Sequence, residues 1–184
     1  MEIRAEQAND YSAIRQVNEL AFGRSQEADL VEALRASGLP LISLVAIESL
    51  TTIDQDEESA PQNSAAIVGH LLFSPVTIEP LPAVPLKVAG LAPIAVLPTF
   101  QRRGIASQLI QVGVGQCCQQ GYDAIVVLGN PQFYRRFGFA AASLKQLRCE
   151  YDVPEEAFMV MELQPNALVT CAGTVKYAPA FANV

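Results

Sequence analysis

The stretch Leu97-Pro98-Thr99-Phe100-Gln101-Arg102-Arg103-Gly104-Ile105-Ala106 carries the residue types that hold an anion. It joins a buried-strand pattern to a long helical one. The first N–H groups of a helix have no partner inside it and carry partial positive charge. A diphosphate placed there gains hydrogen bonds and electrostatic attraction together. Gly104 lets such a ligand approach the backbone, Ala106 keeps the next turn small, and Arg102 and Arg103 add full charge beside the donors. On these residues alone a solvated helix start stays open as the plainer reading. No Gly-Lys-Ser/Thr follows the glycine and no Gly-x-Gly-x-x-Gly follows a first strand, so neither the P-loop nor the dinucleotide fingerprint is present.

Other reactive groups narrow the chemistry. His70 is the single histidine and stands in a strand pattern, which suits packing or surface exposure better than catalysis. With no partnered nucleophile, a Cys-His or Ser-His-Asp triad is not expected. Cys117, Cys118, Cys149 and Cys171 lack the paired spacing of a zinc site, and we read them as reduced, with no metal site. A net charge of -7 disfavours a nucleic-acid partner. The apolar runs, such as Ala124 to Leu128, are strand-sized and far short of the roughly 18 residues of a membrane span, so a membrane role is not expected either. The opening residues carry alternating charge without an apolar leader, which points to the cytoplasm.

The elements that must position this turn follow from periodicity. Ile3 and Arg4 read as a short strand. A helix capped at Asn9 or Asp10 runs through Ile14, Val17, Asn18 and Phe22. A second begins at the capping-box-like Ser25-Gln26-Glu27-Ala28, with Leu30, Val31 and Leu34 on one face and Gly38 past its end. Leu41 to Ile47 and Ala65 to Ile78 read as strands of a hairpin, joined by a polar loop, Glu48 to Ser64, that holds Asp54, Asp56, Glu57 and Glu58. A strand spans Lys87 to Val96, a helix about Arg102 to Gln120, and a strand covered on both faces Tyr122 to Leu128. That crossover predicts two parallel strands, whose pairing can be incomplete near a ligand. A short helix through Phe133, Tyr134 and Arg136 ends at Gly138, strands cover Leu147 to Tyr151 and Phe158 to Leu163, and an irregular tail packs back through Val175, Tyr177 and Phe181. The chain reads as one mixed α/β domain over residues 1–184.

Gln101, Gly104 and Ala106 satisfy the Gln/Arg-x-x-Gly-x-Gly/Ala pattern of the GNAT superfamily, and the order of elements from Ile3 to Leu163 is similar to that fold. Val68-Gly69-His70-Leu71-Leu72-Phe73-Ser74-Pro75-Val76, Tyr134-Arg135-Arg136-Phe137-Gly138-Phe139 and Gly173-Thr174-Val175-Lys176-Tyr177 resemble a bacterial subgroup of predicted N-acetyltransferases. The resemblance implies a mixed sheet of six or seven strands flanked by helices, the acyl-CoA N-acyltransferase fold. It implies acetyl-CoA as cosubstrate, bound by Ile94, Ala95, Val96, Gln101, Arg102, Arg103, Gly104, Ile105, Ala106, Asn130 and Phe133, and transfer of acetyl to an amine acceptor. It also implies that Tyr134 stands near the cofactor sulfur and protonates the departing thiolate. Asn130 departs from the Asp associated with this position, which weakens a basic role there. Glu48, Glu79 and Glu150 are open as general bases, and none is assigned. Two further arrangements stay open: a module of the same fold that binds acyl-CoA or a partner without turnover, and a homodimer whose subunits complete each other's acceptor sites.

Overall fold

The computed structural model describes residues 1–52 and 62–184. In chain order its elements are β1 (Glu2–Ala5), α1 (Tyr11–Phe22), α2 (Gln26–Ala36), β2 (Ile42–Thr52), β3 (Gln62–Glu79), β4 (Val88–Val96), α3 (Ile105–Gln119), β5 (Ala124–Leu128), α4 (Pro131–Tyr134), β6 (Ala140–Ala141), β7 (Leu147–Cys149), β8 (Phe158–Glu162) and β9 (Gly173–Lys176). Seven strands form a continuous sheet in the order β1-β2-β3-β4-β5-β8-β6, and β9 extends the far end of β3 and carries β7. Neighbours along the seven-strand path run antiparallel except β4 and β5, which α3 connects as a parallel pair.

Alternation along the central strands sorts side chains to two faces. Leu44, Leu71, Phe73 and Leu91 pack under α3, together with Ile105, Leu109, Ile110 and Cys117. Val45 and Leu72 point the other way and are covered by Ile14 of α1 and by Leu30, Val31 and Leu34 of α2. Further along that second face, Val76, Val126, Val160 and Val175 form a separate apolar cluster beneath β7 and β9. Two clusters on one face leave a space between them, and Tyr177 packs against both. Gly113 lets α3 lie close on the sheet, because a Cβ there would run into the Phe73 ring and Leu71. No helix among the described residues is long and apolar enough to cross a membrane.

Several boundaries differ from the sequence reading. α3 begins at Ile105 rather than Arg102, because Arg102 (φ 61°) and Gly104 (φ 83°) are left-handed and belong to a turn. Glu48–Thr52 and Gln62–Ser64 continue β2 and β3 instead of joining the loop. The acidic residues Asp54, Asp56, Glu57 and Glu58 lie outside the described residues. Ser25 precedes α2 but makes no capping bond to its backbone; its hydroxyl donates to Asp29 and the Glu27 carboxylate turns to Arg24. The tail is not wholly irregular, since Thr174–Lys176 pairs with Thr77–Glu79. β7 stops at Cys149.

Candidate functional site

The site is a gap in the sheet. β4 and β5 pair only from Val88↔Ala124 to Leu91↔Val127, and beyond Leu91 β4 turns away. On its other side β4 keeps to β3, but the register slips by one residue between Leu71↔Ile94 and Phe73↔Leu91, which places a bulge at Ala92 and Pro93. An extra residue bends and twists the strand that holds it, and bulges of this kind sit beside functional sites. Pro93 has no N–H to offer a neighbour. After the bulge the backbone orientation can be read from one bond: the Leu97 N–H donates to the Val68 carbonyl at 2.9 Å, so Leu97 and Ala95 face β3. By alternation the backbone groups of Ile94 and Val96 face the unpaired edge.

The turn before α3 closes one end of this edge. No side chain caps the helix, so its first N–H groups stay available, and a Cβ built on Gly104 would meet nothing within 4 Å. Gly104 is therefore selected by its backbone angle and by the open space above it. The Gln101 amide donates to the Val96 carbonyl at 3.1 Å and ties the turn to the strand end. Arg103 turns back on the turn itself, donating to the Thr99 carbonyl at 3.0 Å with its guanidinium over the Phe100 ring. A groove of about 570 Å³ runs from Ile94 and Val96 past Gln101, Arg102, Gly104, Ile105 and Ala106 to Phe133. Of the residues singled out from sequence, these eight come together. Ala95 faces β3, Arg103 is held by Thr99, and exposed Asn130 caps α4, accepting from the Gln132 N–H at 2.9 Å. Ser107 and Arg136 also line the groove. Neither was singled out from the sequence as a cofactor contact, because each reaches the groove only through the fold.

Tyr134 stands at the other end of the gap. Its ring packs edge-to-face on Phe133 and Phe139, with centroids 5.1 and 5.6 Å away, and rests where a Gly129 side chain would otherwise project. It is 6% exposed, and burial pushes its phenol up to about 12, so at neutral pH it holds its proton. Tyr134 and Ile94 also border a second cavity of about 560 Å³ on the opposite face of the sheet, in the space between the two apolar clusters. There the walls come from Phe22, Arg24, Glu27 and Leu30 at the α1–α2 corner and from Tyr151, Tyr177 and Phe181. The sequence reading treated these as core, cap or tail. The gap between β4 and α4 thus joins a polar groove on one face to an aromatic cavity on the other, with Ile94 common to both.

The remaining candidates are engaged elsewhere. Glu150 accepts from the Tyr177 N–H and Lys176, Glu48 pairs with the terminal amine, and Glu79 lies in the β3–β9 ladder. Glu27 is the carboxylate at the aromatic cavity, where it is 5% exposed and its two oxygens each lie 3.1 Å from Arg24 Nε. His70 is fully buried, with Nδ1 3.2 Å from the Asn18 amide and Nε2 3.0 Å from the Ser43 hydroxyl. Burial lowers its pKa to about 3, against the opposing pull of Glu6. It is a neutral core group. Cys117 is likewise core, its thiol pushed up to about 12 by burial.

Known proteins share this fold. The family model for the acetyltransferase (GNAT) domain matches residues 2–142. The uncharacterized N-acetyltransferase YhbS of Escherichia coli K12 is 33% identical over 177 residues, 96% of each chain, and YjhQ of the same strain is 33% identical over 92% of this chain and 88% of its own. Among solved structures, Escherichia coli YhbS in complex with CoA superposes with a TM-score of 0.84 at 32% identity, over 98% of this chain and 91% of that one. A GNAT family acetyltransferase from Brucella melitensis in complex with acetyl-CoA gives 0.73 at 31%, over 98% and 97%. The match of family model, full-length relatives and sheet architecture shows that this chain belongs to the GNAT acetyltransferase family.

Proposed function

We propose that the chain is an acetyl-CoA-dependent N-acetyltransferase acting on a primary amine. The observation that carries this is the sheet gap: an open β4 edge runs from an uncapped helix start to a protonated, buried tyrosine. Similar proteins were solved with CoA and acetyl-CoA, which supports the same ligand here. In this reading the diphosphate sits at the turn of Arg102 and Gly104, and the pantetheine amides pair with the edge-facing backbone groups of Ile94 and Val96 as another strand would. The acceptor amine attacks the thioester carbonyl carbon from the opposite face. A backbone N–H near Val96 on this edge, aimed at the carbonyl oxygen, steadies the negative charge that develops there. The C–N bond forms, the C–S bond breaks, the Tyr134 hydroxyl gives its proton to the thiolate, and the proton lost by the amine nitrogen passes to water, from which the phenol is reprotonated.

Tyr134→Phe tests this directly. It removes the hydroxyl and keeps the ring packed on Phe133 and Phe139. General-acid assistance is worth about 100- to 10,000-fold, so kcat is expected to drop by at least about 100-fold while acetyl-CoA affinity changes less than about two-fold. An unchanged kcat would remove Tyr134 from the chemistry. Failure of acetyl-CoA to bind the native protein in a calorimetric titration would overturn the proposal as a whole.

A further inference from the structure

The cavity opposite the CoA groove has a chemical character of its own. Its walls are mostly carbon: Leu30, Leu128 and Val153, closed by rings from Phe22 and Phe181. Tyr151, Tyr177 and Phe181 form a continuous aromatic run, with centroids 5.9 and 5.0 Å apart along the chain of contacts. Two charged side chains line it, Arg24 and Glu27, and they neutralise each other through paired hydrogen bonds. Tyr134 and Tyr177 both have their phenols raised by burial, so neither supplies a negative charge at neutral pH.

From the lining we infer that this cavity takes a primary amine carried on a single apolar, aromatic-sized body, in preference to a polycationic amine. The inference rests on the acetyltransferase reading for what happens to the amine, but not for the binding itself. A volume of about 560 Å³ falls in the range of roughly 300–1,000 Å³ that encloses small organic ligands. An aromatic body fills it by stacking on Tyr151, Tyr177 and Phe181, while its amine reaches the gap at Ile94 and Tyr134. A polyamine brings two or more ammonium groups out of water. One can rest on a ring face, but among the described side chains that line the cavity each further charge meets no carboxylate other than Glu27 to offset its lost hydration. Glu27 cannot serve, because taking it from Arg24 leaves the guanidinium without its partner.

The test compares 2-phenylethylamine, spermidine and a lysine-bearing peptide by titration into the protein saturated with CoA, and then by CoA release from acetyl-CoA. The expected result is binding of 2-phenylethylamine at least about ten-fold tighter than spermidine or the peptide. Tyr151→Ala, at a side chain that is 37% exposed and so removable without opening the core, should weaken that binding about five-fold or more and leave CoA affinity unchanged. Tighter binding of spermidine or the peptide, no binding of 2-phenylethylamine, or an unaltered affinity in Tyr151→Ala would each overturn the inference. If 2-phenylethylamine binds as expected but no amine is acetylated, the inference stands and the acetyltransferase reading falls.

Discussion

Gly104 combines a left-handed backbone with empty space on the side where a Cβ would project, and those two properties separate by substitution. Gly104→Ala adds only the strain of a side chain at φ 83°, about 1 kcal/mol of stability, since nothing stands in the way of its methyl group. Gly104→Glu adds the same strain plus a carboxylate at the uncapped helix start. We expect the two variants to melt within a few degrees of each other and to differ in acetyl-CoA affinity by roughly 100-fold or more, measured by titration. Equal affinities would sink the anion-binding role of the turn. At this scale the sequence singled out Gly104 and Ala106, but it read the left-handed residues Arg102 and Gly104 as the first turn of the helix. It was poor where a side chain's role depends on a distant partner. Gln101 was read as a cofactor contact, and its amide is also the tie to the Val96 carbonyl; Glu27 was read as part of a cap and proves to be a buried carboxylate paired with Arg24.

α3 must hold that turn at a fixed height above the sheet, and Gly113 sets the height. Helix propensity favours Gly113→Ala by about 1 kcal/mol, whereas forcing a methyl group into a packed interface typically costs about 1–3 kcal/mol. Phe73 is 1% exposed and enclosed by the core, so the ring has nowhere to move and the packing cost wins. Gly113→Ala is expected to lower stability by about 1–2 kcal/mol in chemical denaturation and to weaken CoA binding by tilting the helix start. Gain of stability would show that α3 rides higher than described. The helices and the central strands were legible because their apolar periods differ; incomplete pairing near a ligand was expected of the crossover, but the point where β4 leaves β5 was not. Its cue was Pro93 inside a strand pattern, which by its missing N–H marks an edge or a bulge. β9 was passed over for another reason: four residues with Gly at the start carry too little alternation to be recognised before their partner, the end of β3, is known.

Across the molecule, α1, β2 and β3 are joined by a polar chain that passes from Arg35 to Glu6, Ser43, His70 and Asn18. Burial pushes Glu6 up, but the hydrogen bonds from Arg35 and Ser43 outweigh it and hold the carboxylate below its ordinary range. His70 resists protonation in the folded protein down to about pH 3 and accepts a proton near 6.5 when unfolded. Between those values the unfolded chain binds more protons, so stability is full above pH 6.5 and falls as the pH drops through the window, by up to about 1.4 kcal/mol per pH unit. The part between pH 6.5 and 4.5 precedes carboxylate titration. There we expect the melting temperature of the native protein to decline and that of His70→Gln to stay level; parallel profiles would refute the assignment. The sequence indicated that His70 packs, not what it packs with, because its neighbours come from three separate elements. The same distance explains why the aromatic cavity was invisible: Phe22, Tyr151 and Phe181 meet only once the sheet has folded. In the acetyltransferase reading proposed above, the gap beside Ile94 also decides how two reactants would share one protein. Each has its own door, on opposite sides of a wall one strand thick, so neither must depart before the other arrives. Initial-rate lines for the two should therefore intersect rather than run parallel, and an inert occupant of one door should slow the other reactant without competing for its place.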